Sequence, residues 1–244
     1  MERFFNKNLK ALDYRIKAKE YCQKQDSKLT SIFAIYFVIT VVVLVLDSVT
    51  GKTTVYPDGT VVKETWFQSI FTLITGGAFA LSLAEISKKV YLDIELKTED
   101  LFHGFKEFGR SISVYLLQSL YIALWSLLLI VPGIIKACSY SMTMCIANDN
   151  KELSAKECIA KSTEMMDGHK WEYFCLVCSY IGWLLLCVLT FGILSIWVLP
   201  KMQQAIYLFY LKVSGIGERI EDELENGSSE TIEEPTFSSN PWNE

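Results

Sequence analysis

Lys201 is the residue in this chain whose type and setting could do chemistry. It follows Pro200 inside a long apolar stretch, Trp171 to Lys212. A lone ammonium at mid-depth of such a run costs ~2.5–3.5 kcal/mol on insertion scales, so it ordinarily faces a cavity or a partner. Pro200 has no N–H and would leave the carbonyl of Ile196 without its helical donor. Together with Gln203 and Gln204, Lys201 could form a polar intramembrane site for an anion or a lipid headgroup. A competing reading is a short last helix that begins near Pro200, since proline favours helix starts, with Lys201 at an interface.

The other reactive side chains point to packing. Cys175 and Cys178 form a C-x-x-C, which in a soluble protein could be a redox pair or a metal half-site. No second cysteine pair or histidine pair accompanies it. Most of the seven cysteines lie in or beside apolar runs, where the thiol acts as a small apolar group. His103 and His169 fall in polar segments without a ligand at metal spacing. There is no Walker loop, no H-E-x-x-H and no G-x-S-x-G. The expectation is a non-enzyme with no cofactor and no metal. No basic, aromatic-studded domain suggests nucleic acid.

The elements around Lys201 are hydrocarbon-seeking. Of 244 residues, 51% are hydrophobic, and Tyr173 to Pro200 carries no charge. A crossing of roughly 30 Å needs about 20 residues, so Trp171–Lys212 is too long for one crossing. It reads as a tight hairpin turning at Phe191-Gly192. Leu29–Leu46 and Trp66–Ser87 read as the first two spans. Gly76, Ala80 and Ala84 give the second a ridge of small residues that admits a close neighbour. Glu85 reads as an interfacial charge near Lys88 and Lys89. Ser111–Val131 is the third span, broken by Pro132-Gly133. Ile134–Ala147 is a short, kinked or re-entrant arm. The fold class is therefore all-α, a polytopic membrane protein with about six transmembrane helices in hairpins.

Three amphipathic segments should lie along the inner surface. In residues 1–28, Phe5, Leu9, Leu12 and Ile16 recur at helical spacing among basic residues. In 88–110, Thr98 can cap a helix with Leu101, Phe102, Phe105 and Phe108 on one face. Before Trp171, Ser154 and Glu157 form a capping box and Gly168 ends the helix. Between the first two spans, TTVYPDGTVVKE reads as a small hairpin or loop. Three domains result: the basic segment 1–28, a six-helix domain 29–212, and an acidic tail 213–244 expected to be disordered.

Charge orients this arrangement. With both ends cytoplasmic, the inner segments hold nineteen Lys and Arg, against Lys52, Lys63 and Lys136 outside. The expected location is the cell membrane, multi-pass, with both termini cytoplasmic. The expected partners are membrane lipids and other membrane proteins. Function reads as a non-enzymatic scaffold or accessory protein engaging them. The alternative is a transporter or permease-like protein for a small or amphiphilic solute, in which broken helices and Lys201 would line the path.

Four blocks carry a family resemblance: DLFHGFKEFGR (100–110), LWSLLLIVPGIIKACSYSM (124–142), LSAKECIAKSTEMMDGHKWEYF (153–174) and SYIGWLLLCVLTFGILSIWVLP (179–200). Together they resemble the bacterial integral-membrane family catalogued as domain of unknown function 975. The family often has Pro-Tyr where this chain has Pro200-Lys201, and often has Gly-Asn-Trp where this chain reads QKQD. The resemblance implies a lipid-linked setting through a distant similarity to the membrane domain of some glycerophosphodiester phosphodiesterases. It implies no catalytic residues.

Overall fold

The structure is a computed structural model that describes residues 4–5, 9–50, 53–55, 61–63 and 66–225. Helix α1 spans Ala11–Lys24 and α2 spans Asp26–Thr50. A three-residue hairpin follows, β1 (Thr53–Val55) against β2 (Val61–Lys63), antiparallel with Thr54 opposite Val62. The Pro57-Asp58-Gly59 turn itself lies outside the described residues. Then come α3 (Trp66–Tyr91), a 3-10 turn (Thr98–Phe102), α4 (His103–Lys106) and α5 (Phe108–Leu128). The second half holds α6 (Ile130–Ser139), α7 (Thr143–Asp149), α8 (Ala155–Met165), α9 (Lys170–Cys178), α10 (Ile181–Leu189), α11 (Ser195–Val213) and α12 (Ile216–Glu225).

Four segments are long and apolar enough to cross a membrane by length and composition: Asp26–Val49, Phe108–Leu128, Ile130–Asp149 and Lys170–Leu189. The protein is thus an all-helical membrane protein apart from the small hairpin. The expected count of about six is not reached on this criterion among the described residues, because α3 and α11 fall outside it. Helix α11 carries Lys201, Gln203 and Gln204, which lower its apolar content, whereas the charges of α3, Glu85, Lys88 and Lys89, are confined to its last two turns.

The breaks have local causes. Leu129 is extended (φ −160°, ψ 142°) and separates α5 from α6. The break therefore comes three residues before Pro132, not at Pro132-Gly133. Pro132 sits in the first turn of α6, where its missing N–H is not needed. A Cβ at Gly133 would come within 2.5 Å of Ser126 Oγ, so this glycine lets α6 fold back onto α5. The expected kink of the following arm falls at residues 140–142. The turn at Phe191-Gly192 forms where expected, with both residues left-handed (φ 52° and 84°). Helix α11 starts at Ser195 and runs through Pro200, so a last helix beginning at Pro200 is not what forms.

Helix α11 is the hub. Gln204, Ala205 and Tyr207 to Leu211 are all at most 1% exposed. Helix α1 runs antiparallel along it: the Cys22 thiol points at the Pro200 carbonyl, and Tyr14 meets Phe209 edge-on. The buried face of α1 is Tyr14, Ala18 and Cys22, while Leu12 and Ile16 of the expected apolar face are 60% and 59% exposed. Ala18 has little side chain, which lets the two helices approach. Instead of only lying on the surface, α1 is part of the core.

The start of the expected disordered tail is also structured. Gly215 (φ 69°) turns the chain into α12. The Glu221 carboxylate accepts from the N–H groups of Phe4 and Phe5, at 3.1 and 3.4 Å. The Phe5 ring lies over Gly217, where a Cβ would come within 2.7 Å of it. Residues 226–244 lie outside the described residues.

On the small-residue ridge of α3, a Cβ at Gly76 would come within 3.0 Å of the Tyr115 ring and Ala84 is buried, and a tighter approach lies beside it at Gly77. Cβ atoms at Gly77 and Gly104 would meet the Ser111 and Ala78 carbonyl oxygens at 2.5 and 2.0 Å. Ser82 Oγ accepts from the Gly104 N–H at 2.8 Å and closes the seam. Away from these contacts the surface is apolar. Leu120, Leu124, Leu127, Ile130, Leu185 and Val188 are all more than half exposed, which suits helices that face lipid.

Candidate functional site

Two helical stripes face each other across a pocket of about 480 Å³. Helix α1 contributes Leu12, Arg15, Ile16 and Lys19, and the stretch entering α11 contributes Leu194, Trp197, Val198 and Lys201. Each set is spaced i, i+3, i+4, i+7, which places its members on one side of a helix. Tyr180 and Trp183, at the start of α10, close the third side. Each long stripe therefore sets apolar residues beside cations, and no Asp or Glu lines the pocket.

The unexpected break between α9 and α10 fixes Arg15. The chain turns at Ser179 and Tyr180, which leaves the Ser179 carbonyl able to accept. Arg15 Nη1 donates to it at 3.1 Å, and the guanidinium lies 5.0 Å from the Tyr180 ring centroid. A cation over an aromatic face is attracted by the ring quadrupole. The Tyr180 hydroxyl in turn donates to the Lys201 carbonyl at 3.3 Å. Arg15 is thus held while Lys19 and Lys201 are not. Among the described residues neither lysine ammonium has a hydrogen bond or an ion pair.

Lys201 acts electrostatically on α1 all the same. Burial pushes the Cys22 thiol up to about 12, with the Lys201 charge opposing that rise. Desolvation dominates, so Cys22 stays a neutral packing group.

Gln203 and Gln204 do not line the pocket. Gln203 is half-buried, and Gln204 is 1% exposed in the core. The Gln204 Nε2 finds no hydrogen-bond partner among the described residues. The structure therefore brings Lys201 together with Arg15 and Lys19 from the distant N-terminal helix. The available signal was that Arg15 and Lys19 share one helical stripe with Leu12 and Ile16.

A second polar group lies within the packed body. Glu85 accepts from Asn148 at 2.9 Å, and Tyr210 donates to Asp149 Oδ2 at 2.9 Å. Lys88 Nζ stands 3.6 Å from Asp149 Oδ1, and the Asp149 side chain is 2% exposed. These residues tie α3, α7 and α11 together. The seven cysteines are free thiols, with Cys175 and Cys178 half-buried. Among the described residues no group of three His, Cys, Asp or Glu could hold a metal ion.

Residues 127–216 match the model of a family described as Protein of unknown function (DUF975). The match agrees with the family resemblance seen in the sequence. The DUF975 segment runs from the end of α5 to the start of α12, so it contains Tyr180, Trp183, Trp197 and Lys201. Helix α1, with Arg15 and Lys19, lies outside it. Searches of curated proteins and of solved structures return no match.

Proposed function

We propose that this protein is a non-enzymatic membrane scaffold or accessory protein that engages lipids at the α1–α11 face. The observation that supports this reading is the pocket: three cations and no acid, on walls of Trp183, Leu194, Trp197 and Val198. Its volume falls in the range of about 300–1,000 Å³ usual for small-ligand sites. An amphiphile with an anionic head matches both halves of that lining. In this reading α3 and α11 join the four apolar segments to make six crossings of the cell membrane. Both termini are cytoplasmic, as the distribution of lysine and arginine favours.

The test is to purify the full chain in a mild detergent and quantify the phospholipid that stays with it. About one tightly held phospholipid per chain is the expected result. A lipid content no higher than that of an unrelated membrane protein washed in parallel overturns the reading.

The buried group Glu85, Lys88, Asn148, Asp149 and Tyr210 supports a second reading, a transporter or permease for a small or amphiphilic solute. Charged residues among spans often mark such paths. Solute flux into vesicles holding the purified protein, lost on substitution of Asp149, would favour it.

A further inference from the structure

We propose that the pocket between α1 and α11 binds the phosphate of an anionic glycerophospholipid, with Arg15, Lys19 and Lys201 as its cations. This names the ligand class of the lipid-engaging reading above and rests on it.

Position along the fold supports the proposal. The Cys22 contact with Pro200 sets Lys201 beside the α1–α2 junction, where Lys24, Asp26 and Lys28 are exposed to solvent. The turn at Gly192 lies against Phe37, further along α2. Gly192 and Lys201 are nine residues apart, about 13 Å along a helix. The three cations thus sit at the charged end of the first span, and the exposed apolar residues Leu185, Val188 and Phe191 lie toward the other end. Trp183 and Trp197, each partly exposed, occupy the border between them. Tryptophan is favoured at that level of a bilayer.

Charge decides the head. Two of the three cations have no partner among the described residues, and no carboxylate lines the pocket to neutralise them. A zwitterionic head would bring a fourth positive charge among them. A phosphodiester without an amine satisfies them instead. Arg15 is held in place by Ser179 and Tyr180 and offers its remaining N–H groups in a fixed fork, the geometry that suits phosphate oxygens. The walls decide the source. Free phosphate would leave Leu12, Ile16, Trp183 and Trp197 facing water, whereas an acyl chain covers them.

The experiment uses the full-length protein in detergent and two lipids with the same acyl chains, phosphatidylglycerol and phosphatidylcholine. Bound lipid is read by native mass spectrometry, with inorganic phosphate as a competitor. We expect about a tenfold preference for phosphatidylglycerol, falling to less than twofold in the double variant Lys19→Gln/Lys201→Gln. Both lysines are at least partly exposed, and a thermal melt checks that the variant is folded. Lipid retention with no headgroup preference, or a preference unchanged in the variant, overturns the anionic site and leaves the lipid-engaging reading standing. Displacement by millimolar inorganic phosphate also overturns it, because the site would then read phosphate alone. Retention of no lipid at all overturns both.

Discussion

Helix α11 lives in two environments along its length. From Gln204 to Leu211 nearly every side chain is sealed among α1, α3, α7 and α9. From Leu194 to Lys201 the same helix borders an open pocket, with Trp197 43% exposed. In the sealed half the Tyr210 hydroxyl finds its partner, Asp149, inside the protein, whereas the buried Gln204 Nε2 finds none among the described residues. The open half carries a cation that meets none there. A buried group left without a partner loses stability, whereas an exposed one is free to meet a ligand. The contrast separates residues that hold this protein together from residues positioned to bind.

Substitutions in the packed body should show the largest effects. Gly104→Ala would put a Cβ 2.0 Å from the Ala78 carbonyl oxygen, and the obstacle is backbone rather than a flexible side chain. Helix α3 and the segment before α5 would have to separate, and the Gly104 N–H would leave Ser82. We expect a loss of about 3 kcal/mol, read as a much lower melting temperature in detergent. A variant that melts with the wild type would show that this seam is looser than the contact distances imply.

Tyr210→Phe comes next. It keeps the ring in the core and removes only the O–H that donates to Asp149. Asp149 then keeps Lys88 at 3.6 Å but loses its shorter partner. The expected loss is about 2 kcal/mol, as for a buried acceptor left short of a donor. A double-mutant cycle with Asp149→Leu, which removes the acceptor, should return most of that energy as coupling. Additive effects would mean that Tyr210 is stabilised by packing alone.

Which parts of this were legible in the sequence follows from the range of the interactions. The Phe191-Gly192 turn and the Ser154–Glu157 capping box depend on residues within a turn of one another, and both form. The break at Leu129 falls in the turn that Pro132 disrupts, because a proline cannot donate to the Leu128 carbonyl and its ring crowds that oxygen. The break at Ser179-Tyr180 carries no proline or glycine of its own, and no local pattern records it. The face of α1 was misjudged for a related reason. Leu12 and Ile16 are the most apolar residues on that helix, and in a protein surrounded by water they would have been the core. Beside lipid, the residues chosen for burial are Tyr14, Ala18 and Cys22, which fit α11 by shape. Lys201 stood out by its type. Its companions did not, because Arg15 and Lys19 reach it only through that docking.

Lys201→Leu is expected to have the smallest effect on stability. The substitution removes no hydrogen bond or ion pair among the described residues, and Leu is compatible with the Trp197 and Val198 wall. It also removes the one positive charge opposing the burial of the Cys22 thiol, so Cys22 becomes a still weaker acid. The melting temperature should shift by no more than about 0.5 kcal/mol of stability implies, as for surface changes away from a core. Lipid selection should respond at the same time: the preference for phosphatidylglycerol should fall about threefold. A strong loss of stability would show that Lys201 belongs with the sealed half of α11. A melt and a lipid preference both equal to wild type would remove Lys201 from the binding surface, leaving Arg15 and Lys19 as the only cations there.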